Sequence, residues 1–238
     1  LKCYNKCFRK FWRNIFYNLN YYFFNHPPLY FAAKKDHQDV INILLSQPNI
    51  KIIKYCFVKC HLLTQITIPF SVTSISDHAF ENCSSLVQVT LPSSITYIGK
   101  CAFIECTSLS EIHLPSSVKT IENEAFKKCT SLIEITIPQF VSSIRENLFF
   151  ECKSLKKVSI QSSLISIGFS AFLGCKSLEQ ISLPSSLSVI GYKAFYDCCS
   201  LEEIEIPSSV TIIGILSFAN CSALKQIIIP PTVLKICD

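Results

Sequence analysis

The sequence predicts an α/β solenoid of about eight 23-residue coils, with parallel strands on one face and short helical turns on the other. A small α-helical segment precedes it. Phenylalanine, leucine and proline keep one common period along the chain, which is typical of a single supersecondary unit stacked on copies of itself. Eight cysteines share that period, at Cys60, Cys83, Cys106, Cys129, Cys152, Cys175, Cys198 and Cys221.

Each coil is expected to contribute one short strand. From Leu109 to Leu114, apolar and polar residues alternate, which is the period-two pattern of a half-buried strand. A proline ends this apolar run in every coil except the one with Gln161, and proline cannot donate to a β-ladder. The stacked strands therefore predict a parallel sheet along one face of a curved solenoid.

A polar stretch containing an Ala-Phe pair follows the second apolar pair of each coil. It has room for one or two helical turns. Four of the five glycines occupy the position where the chain turns into this stretch, and a left-handed backbone there is the simplest expectation. These glycines are Gly99, Gly168, Gly191 and Gly214.

The registered cysteines are interpreted as buried structural thiols. A metal site needs ligands that converge on one point, whereas a ladder spreads its thiols along a line. The five histidines form no ligand cluster, and disulfides between rungs would require one narrow geometry repeated along the stack. The chain also lacks a glycine-rich phosphate loop and a nucleophile elbow, so we expect no enzyme, no cofactor and no bound metal.

Residues 1–50 lack the repeat and carry the whole net charge. Seven Lys or Arg stand here against Asp36 and Asp39, whereas the repeat region has fifteen residues of each sign. Residues 1–25 form a basic aromatic leader that we expect to be helical. Its pattern would suit nucleic acid or an anionic membrane surface, or the two sides of an ordinary helix. Nucleic acid is the less favoured partner, and no membrane-spanning segment is evident.

Residues 26–50 resemble the helix-turn-helix of one ankyrin repeat. Tyr30 and Asp36 depart from that pattern, which prefers histidine and glycine there. The resemblance implies a cap on the first coil or the last of several repeats, because one such repeat cannot bury its own faces. It rests on His26-Pro27-Pro28-Leu29-Tyr30-Phe31-Ala32-Ala33, Asp36-His37 and Val40-Ile41-Asn42-Ile43-Leu44-Leu45.

Residues 51–238 resemble the BspA-like subclass of leucine-rich repeat, through the unit I-P-S-S-V-x-x-I-G-x-x-A-F-x-x-C-x-S-L-x-x-I that the coils repeat. Similar proteins occur in parasitic protists and oral bacteria, and some are surface antigens or adhesins. The resemblance implies a non-catalytic protein-protein interaction module at the cell surface that binds host or matrix proteins. The alternative is a cytoplasmic ankyrin and leucine-rich repeat scaffold or regulatory protein.

Two strand positions vary from coil to coil and predict a partner-binding face. One precedes the central apolar residue of each strand and the other follows it. A basic rung followed by acidic rungs would match a partner with opposite stripes, although a merely solvated face explains each single residue equally well. The candidates are Glu111, His113, Glu134, Thr136, Lys156, Lys157, Glu179, Glu202, Glu203 and Glu205.

The ends of the chain predict that it is part of a longer protein. It contains no methionine and begins at Leu1. It stops where the next Ala-Phe-x-x-Cys would begin. The identity of the protein partner and the oligomeric state stay open.

Overall fold

The computed structural model describes residues 28–35, 37–47, 50–161 and 163–236. Two helices come first and a parallel β-solenoid follows, as the sequence predicts. The exact number of coils stays a prediction. The basic aromatic leader predicted for residues 1–25 lies outside the described residues.

Two short helices precede the solenoid, α1 Pro28–Lys34 and α2 Gln38–Leu45. The His37 amide donates to the Ala32 carbonyl at 2.9 Å, which ties the start of α2 to α1. Ile41 of α2 is fully buried and belongs to the same hydrophobic core as the coils. The helices therefore pack as part of the solenoid core, and their ankyrin identity stays a prediction.

The first sheet is parallel and runs along one face of the solenoid. Its register is one coil, so that Gln65 pairs with Gln88 and Glu134 with Lys157. Isolated bridges between Gln180 and Glu203 and between Glu205 and Ile228 continue it toward the C-terminus. It consists of two three-stranded parts, the first with β1 Gln65–Thr67, β3 Gln88–Thr90 and β5 Glu111–Ile112, and the second with β7 Glu134–Ile137, β9 Lys157–Ile160 and β11 Gln180–Ile181.

A second parallel sheet corrects the prediction of one strand per coil. Each of its short strands contains the second residue of the second apolar pair, such as Ile121 of the pair Val118 and Ile121, and this residue is buried. The segment forms a strand because it pairs with the equivalent segment one coil away, as Ile98 does with Ile121. The strands form two groups, β2 Ser74–Ile75, β4 Tyr97–Ile98 and β6 Thr120–Ile121 in one, and β8 Ser143–Ile144, β10 Ser166–Ile167, β12 Val189–Ile190, β13 Ile212–Ile213 and β14 Lys235–Ile236 in the other.

The prediction of short helical turns in each coil is wrong for the coils that the structure describes. Overlapping β-turns replace them. His78 and Asn82, each at φ 56°, occupy the third position of the turns that begin at Ser76 and Phe80. The Phe80 amide donates to the Ala102 carbonyl of the next coil at 2.8 Å. A helix would use such amides within its own segment, whereas here they join one coil to the next.

The glycines before these turns are not left-handed, so that prediction is also wrong. Gly174 is the glycine with positive φ among the described residues. At Gly99, a Cβ atom would lie 2.5 Å from the Asp77 amide nitrogen of the preceding coil. At Gly191 it would lie 2.7 Å from the Gly168 carbonyl carbon. Glycine is favoured here because neighbouring backbones approach too closely for a side chain.

Phenylalanine rings and cysteine thiols form the core between the sheets and the turns. The rings stack from Phe57 to Phe218, with centroids separated by 4.8 Å to 5.8 Å. Each thiol from Cys83 to Cys221 donates to the carbonyl of a phenylalanine one coil earlier, as Cys129 does to Phe103 at 3.1 Å. The ladder cysteines are all buried, which confirms the interpretation as buried structural thiols.

Candidate functional site

The structure places the candidate residues on one side of the solenoid. We call this side the strand face, meaning the exposed side chains on the strands of the first sheet and on residues 203 and 205 beyond them. All ten candidates are exposed, and equivalent residues of neighbouring coils lie about 4.8 Å apart. Lys156, Glu179 and Glu202 stand one residue before the strands and form a rim of this face. The candidates form a stripe along the stack and do not converge on one point.

The stripe begins with Glu111 on β5 and with His113, which directly follows that strand. The Nε2 atom of His113 lies 2.6 Å from Oε1 of Glu111, and both side chains are largely exposed. Two residues apart in an extended segment, they project to the same side. On the next strands, Thr136 pairs in register with Ser159. This end of the strand face is therefore polar, and it carries the negative charge of Glu111 when His113 is uncharged.

The basic rung lies in the middle of the stripe, with carboxylates on both sides. Lys157 pairs in register with Glu134 on one side and with Gln180 on the other. The ammonium of Lys156 lies 3.8 Å from Oε1 of Glu179 at the rim. Exposed pairs of this kind contribute at most about 1 kcal/mol of stability. Their main effect is that the positive charge of this rung is compensated locally.

The acidic end of the stripe is not compensated in this way. Glu202, Glu203 and Glu205 form no ion pair with any described Lys, Arg or His. The Gln180 side chain donates to Oε1 of Glu203 at a long 3.4 Å. These three exposed carboxylates, which lie within four residues, therefore present net negative charge to the solvent at this end.

A groove of about 820 Å³ lies in front of these C-terminal coils. Glu203 and Glu205 line it, and beside Glu205 lies Ile228, which is 72% exposed. Ile228 is not among the predicted partner-binding residues, although it is an apolar residue at a position that is polar in the other coils. Among the lining residues are Gln180, Glu203, Glu205, Gln226, Ile228 and Pro230.

The turns on the other side of the core carry charges that pair with one another. Lys127 lies 2.8 Å from Glu124 within one turn, and Lys128 lies 3.0 Å from Glu105 of the preceding coil. Arg145 reaches Glu122 across coils at 3.3 Å. These charges of the turn side therefore neutralise one another, in contrast to the carboxylates at the acidic end of the strand face.

A metal-ligand cluster and a membrane-spanning helix are both absent from the described residues. Across the ranges that the structure describes, no three His, Cys, Asp or Glu side chains gather as potential metal ligands. In those ranges, neither helix has the length and apolar character needed to cross a bilayer.

Comparison with solved structures finds leucine-rich repeat proteins of bacteria. One from T. pallidum is 31% identical, with 74% of this chain and 72% of that chain covered and a TM-score of 0.51. A leucine rich cell surface protein of Faecalibacterium prausnitzii is 25% identical over 74% of this chain and 82% of that one, with a TM-score of 0.47. One from Eubacterium ventriosum is 23% identical over 76% of this chain and 43% of that one, with a TM-score of 0.50.

Comparison with families gives the assignment. No curated protein matches the chain. The family described as BspA type Leucine rich repeat region matches in six copies, over residues 50–165 and 142–238. These ranges hold every strand of both sheets and nearly the whole core. The chain belongs to the BspA type leucine-rich repeat family.

Proposed function

We propose that this chain is a non-catalytic protein-protein interaction module that binds its partner through the strand face. The observation that carries this proposal is the alternation along the first sheet, where a buried apolar residue is flanked by exposed polar side chains. The flanking residues are Gln and Thr in the first two coils, and charged residues replace them at Glu134, Lys157, Glu203 and Glu205. A regular scaffold therefore presents an individual pattern of side chains to a partner.

Rigidity supports this proposal on energetic grounds. Backbone hydrogen bonds join neighbouring coils through the paired strands and also through the turns, which bridge the coils between β5 and β7 where the strand pairing is interrupted. A surface that is already ordered loses little conformational entropy on binding, and this leaves more of the contact energy for affinity. The charge pattern would then select the partner, because complementary charges favour one partner and repel others.

The distribution of charge favours the strand face over the turn side. On the turn side, charges such as Lys128 and Glu105 already pair with each other. On the strand face, Glu203 and Glu205 have no cationic partner among the described residues. A partner could neutralise these two carboxylates with its own Lys or Arg side chains.

We also propose that the module is displayed at the cell surface as an antigen or adhesin that binds host or matrix proteins. The support is the family membership together with the resemblance to surface antigens of this repeat type. Antibody against the solenoid should label intact cells of the source organism. Labelling that requires permeabilised cells would favour the cytoplasmic scaffold instead.

Binding itself is testable with purified protein. We expect the chain to bind a member of a panel of purified matrix proteins, such as fibronectin, laminin and collagen, in biolayer interferometry. Glu203→Lys with Glu205→Lys should weaken that binding. A matched control, Glu146→Lys with Glu151→Lys, makes the same charge change on the turn side and should not. Equal loss in both variants would contradict a role of the strand face.

A further inference from the structure

We propose that the groove at the acidic end of the strand face binds an extended basic segment of a protein, with two Lys or Arg side chains spaced two residues apart. This inference rests on the proposed function, because it names the chemistry of the partner at the same face.

The spacing of the carboxylates fixes the spacing of the basic residues. Ile204 is buried between Glu203 and Glu205, both of which are exposed and line the groove. Residues two apart in an extended chain project to the same side, about 6.6 Å from each other. An extended ligand has this same period. Lysines at alternate positions would therefore meet both carboxylates at once.

Electrostatics favour a cation in this groove over the middle of the stripe. Lys156 and Glu179 already neutralise each other at the rim. Lys157 stands in the same column as Glu203, two coils earlier, and would repel a basic ligand that shifted in that direction. A groove lined by one sign of charge also concentrates its field and attracts the opposite charge. Lys157 therefore limits how far the ligand can shift toward the N-terminal coils.

The apolar wall suits the long stems of basic side chains. Ile228 pairs with Glu205 by a backbone bridge, so the two side chains are neighbours across adjacent coils. Lys and Arg bury their methylene stems against apolar surface while the charged head reaches a carboxylate. A volume of about 820 Å³ accommodates a short segment with several side chains.

Synthetic peptides provide the test. Fluorescence anisotropy of the labelled peptides GTKTKTLG, GTKTTKLG and GTETETLG should show binding of the first, weaker binding of the second and none of the third. Raising the salt concentration should weaken the interaction, because exposed charges are screened. Equal binding of the first two peptides would overturn the proposed spacing.

Two double variants locate the interaction. Glu203→Gln with Glu205→Gln should weaken binding of the first peptide by roughly 3- to 30-fold, as loss of two ion pairs implies. Glu146→Gln with Glu151→Gln removes the same charge on the turn side and should leave it unchanged. None of these four side chains is buried, so circular dichroism should show the same fold in all variants.

The contrary outcomes separate this inference from the proposed function. Absence of peptide binding, with retained binding of a matrix protein at the strand face, would overturn the basic-segment inference and leave the proposed function standing. Salt-sensitive self-association of the chain that Glu203→Gln with Glu205→Gln abolishes would also overturn it. The basic leader of a second copy would then be the occupant of the groove.

Discussion

Alkaline pH is expected to unfold this protein, because the ladder thiols are held neutral in the core. Burial removes the thiols from water and raises their pKa above the ordinary value of 9.0. In the unfolded chain they ionise near that ordinary value. The free energy of unfolding should therefore be constant below about pH 8 and fall as the pH rises above about 9. The six central ladder thiols with a raised pKa are Cys83, Cys106, Cys129, Cys152, Cys175 and Cys198.

The magnitude follows from proton linkage. Each thiol that stays protonated in the folded state loses about 1.4 kcal/mol of stability for each pH unit above the unfolded pKa. Six such thiols together lose roughly 8 kcal/mol at about pH 10. This is comparable to the whole stability of an ordinary domain, about 5 to 15 kcal/mol. We therefore expect the protein to unfold close to about pH 10.

Urea denaturation followed by circular dichroism, at a series of pH values and with reductant present, measures this dependence. Cys129→Ala with Cys152→Ala removes two of the ten described buried thiols with a raised pKa, so the slope above pH 9 should fall by about a fifth. That variant is less stable at every pH because two buried side chains are truncated. The slope, and not the absolute stability, is the readout. A free energy of unfolding that stays flat to about pH 11 would refute the reasoning.

Three further predictions concern the core and the stacking of coils. Phe126→Ala should cost about 3 to 5 kcal/mol in urea denaturation, because its ring is fully buried in the stack, and a loss under about 1 kcal/mol would contradict this. Gly191→Ala should lower the melting temperature, because a Cβ would lie 2.7 Å from the Gly168 carbonyl carbon; an unchanged melting temperature would show that the coils can separate. In thiol titration of the native protein, the partly exposed Cys199 should react before the other described cysteines, and the ladder cysteines should react only after unfolding. Rapid reaction of Cys129 in the native state would be inconsistent with its burial.

The core of this fold could be predicted from the sequence because the chain repeats. The common period of Phe126, Cys129 and Leu132 predicts three buried ladders, and the structure confirms that all three side chains are buried. The alternation around Ile135 likewise predicts its strand, together with the exposed neighbours Glu134 and Thr136. These predictions succeed because a period-two pattern inside a fixed repeat determines which side of the backbone faces the core.

Contacts between coils were not readable in this way. The sequence does not tell whether the Phe80 amide bonds within its own segment or to Ala102 in the next coil, and that choice separates a helical turn from a β-turn. The same holds for Gly99, where the nearby backbone of Asp77, and not a positive φ, excludes a side chain.

The sequence predicts where the candidate face lies, but it does not predict which side chains form ion pairs on that face. Alternation places Glu203 and Glu205 on the surface, but the compensation of Lys156 by Glu179 depends on how neighbouring coils align their side chains. The groove also depends on Ile228, whose apolar character at a polar position was the available signal.

Site-specific photocrosslinking tests most directly whether the strand face is the binding surface. A photoreactive phenylalanine analogue at Thr136 lies on the strand face, and the same analogue at Glu146 lies on the turn side; both positions are exposed. With the matrix protein that binds the purified chain, we predict crosslinks from position 136 and none from position 146. Crosslinks from position 146 alone would place the partner on the turn side and contradict the account.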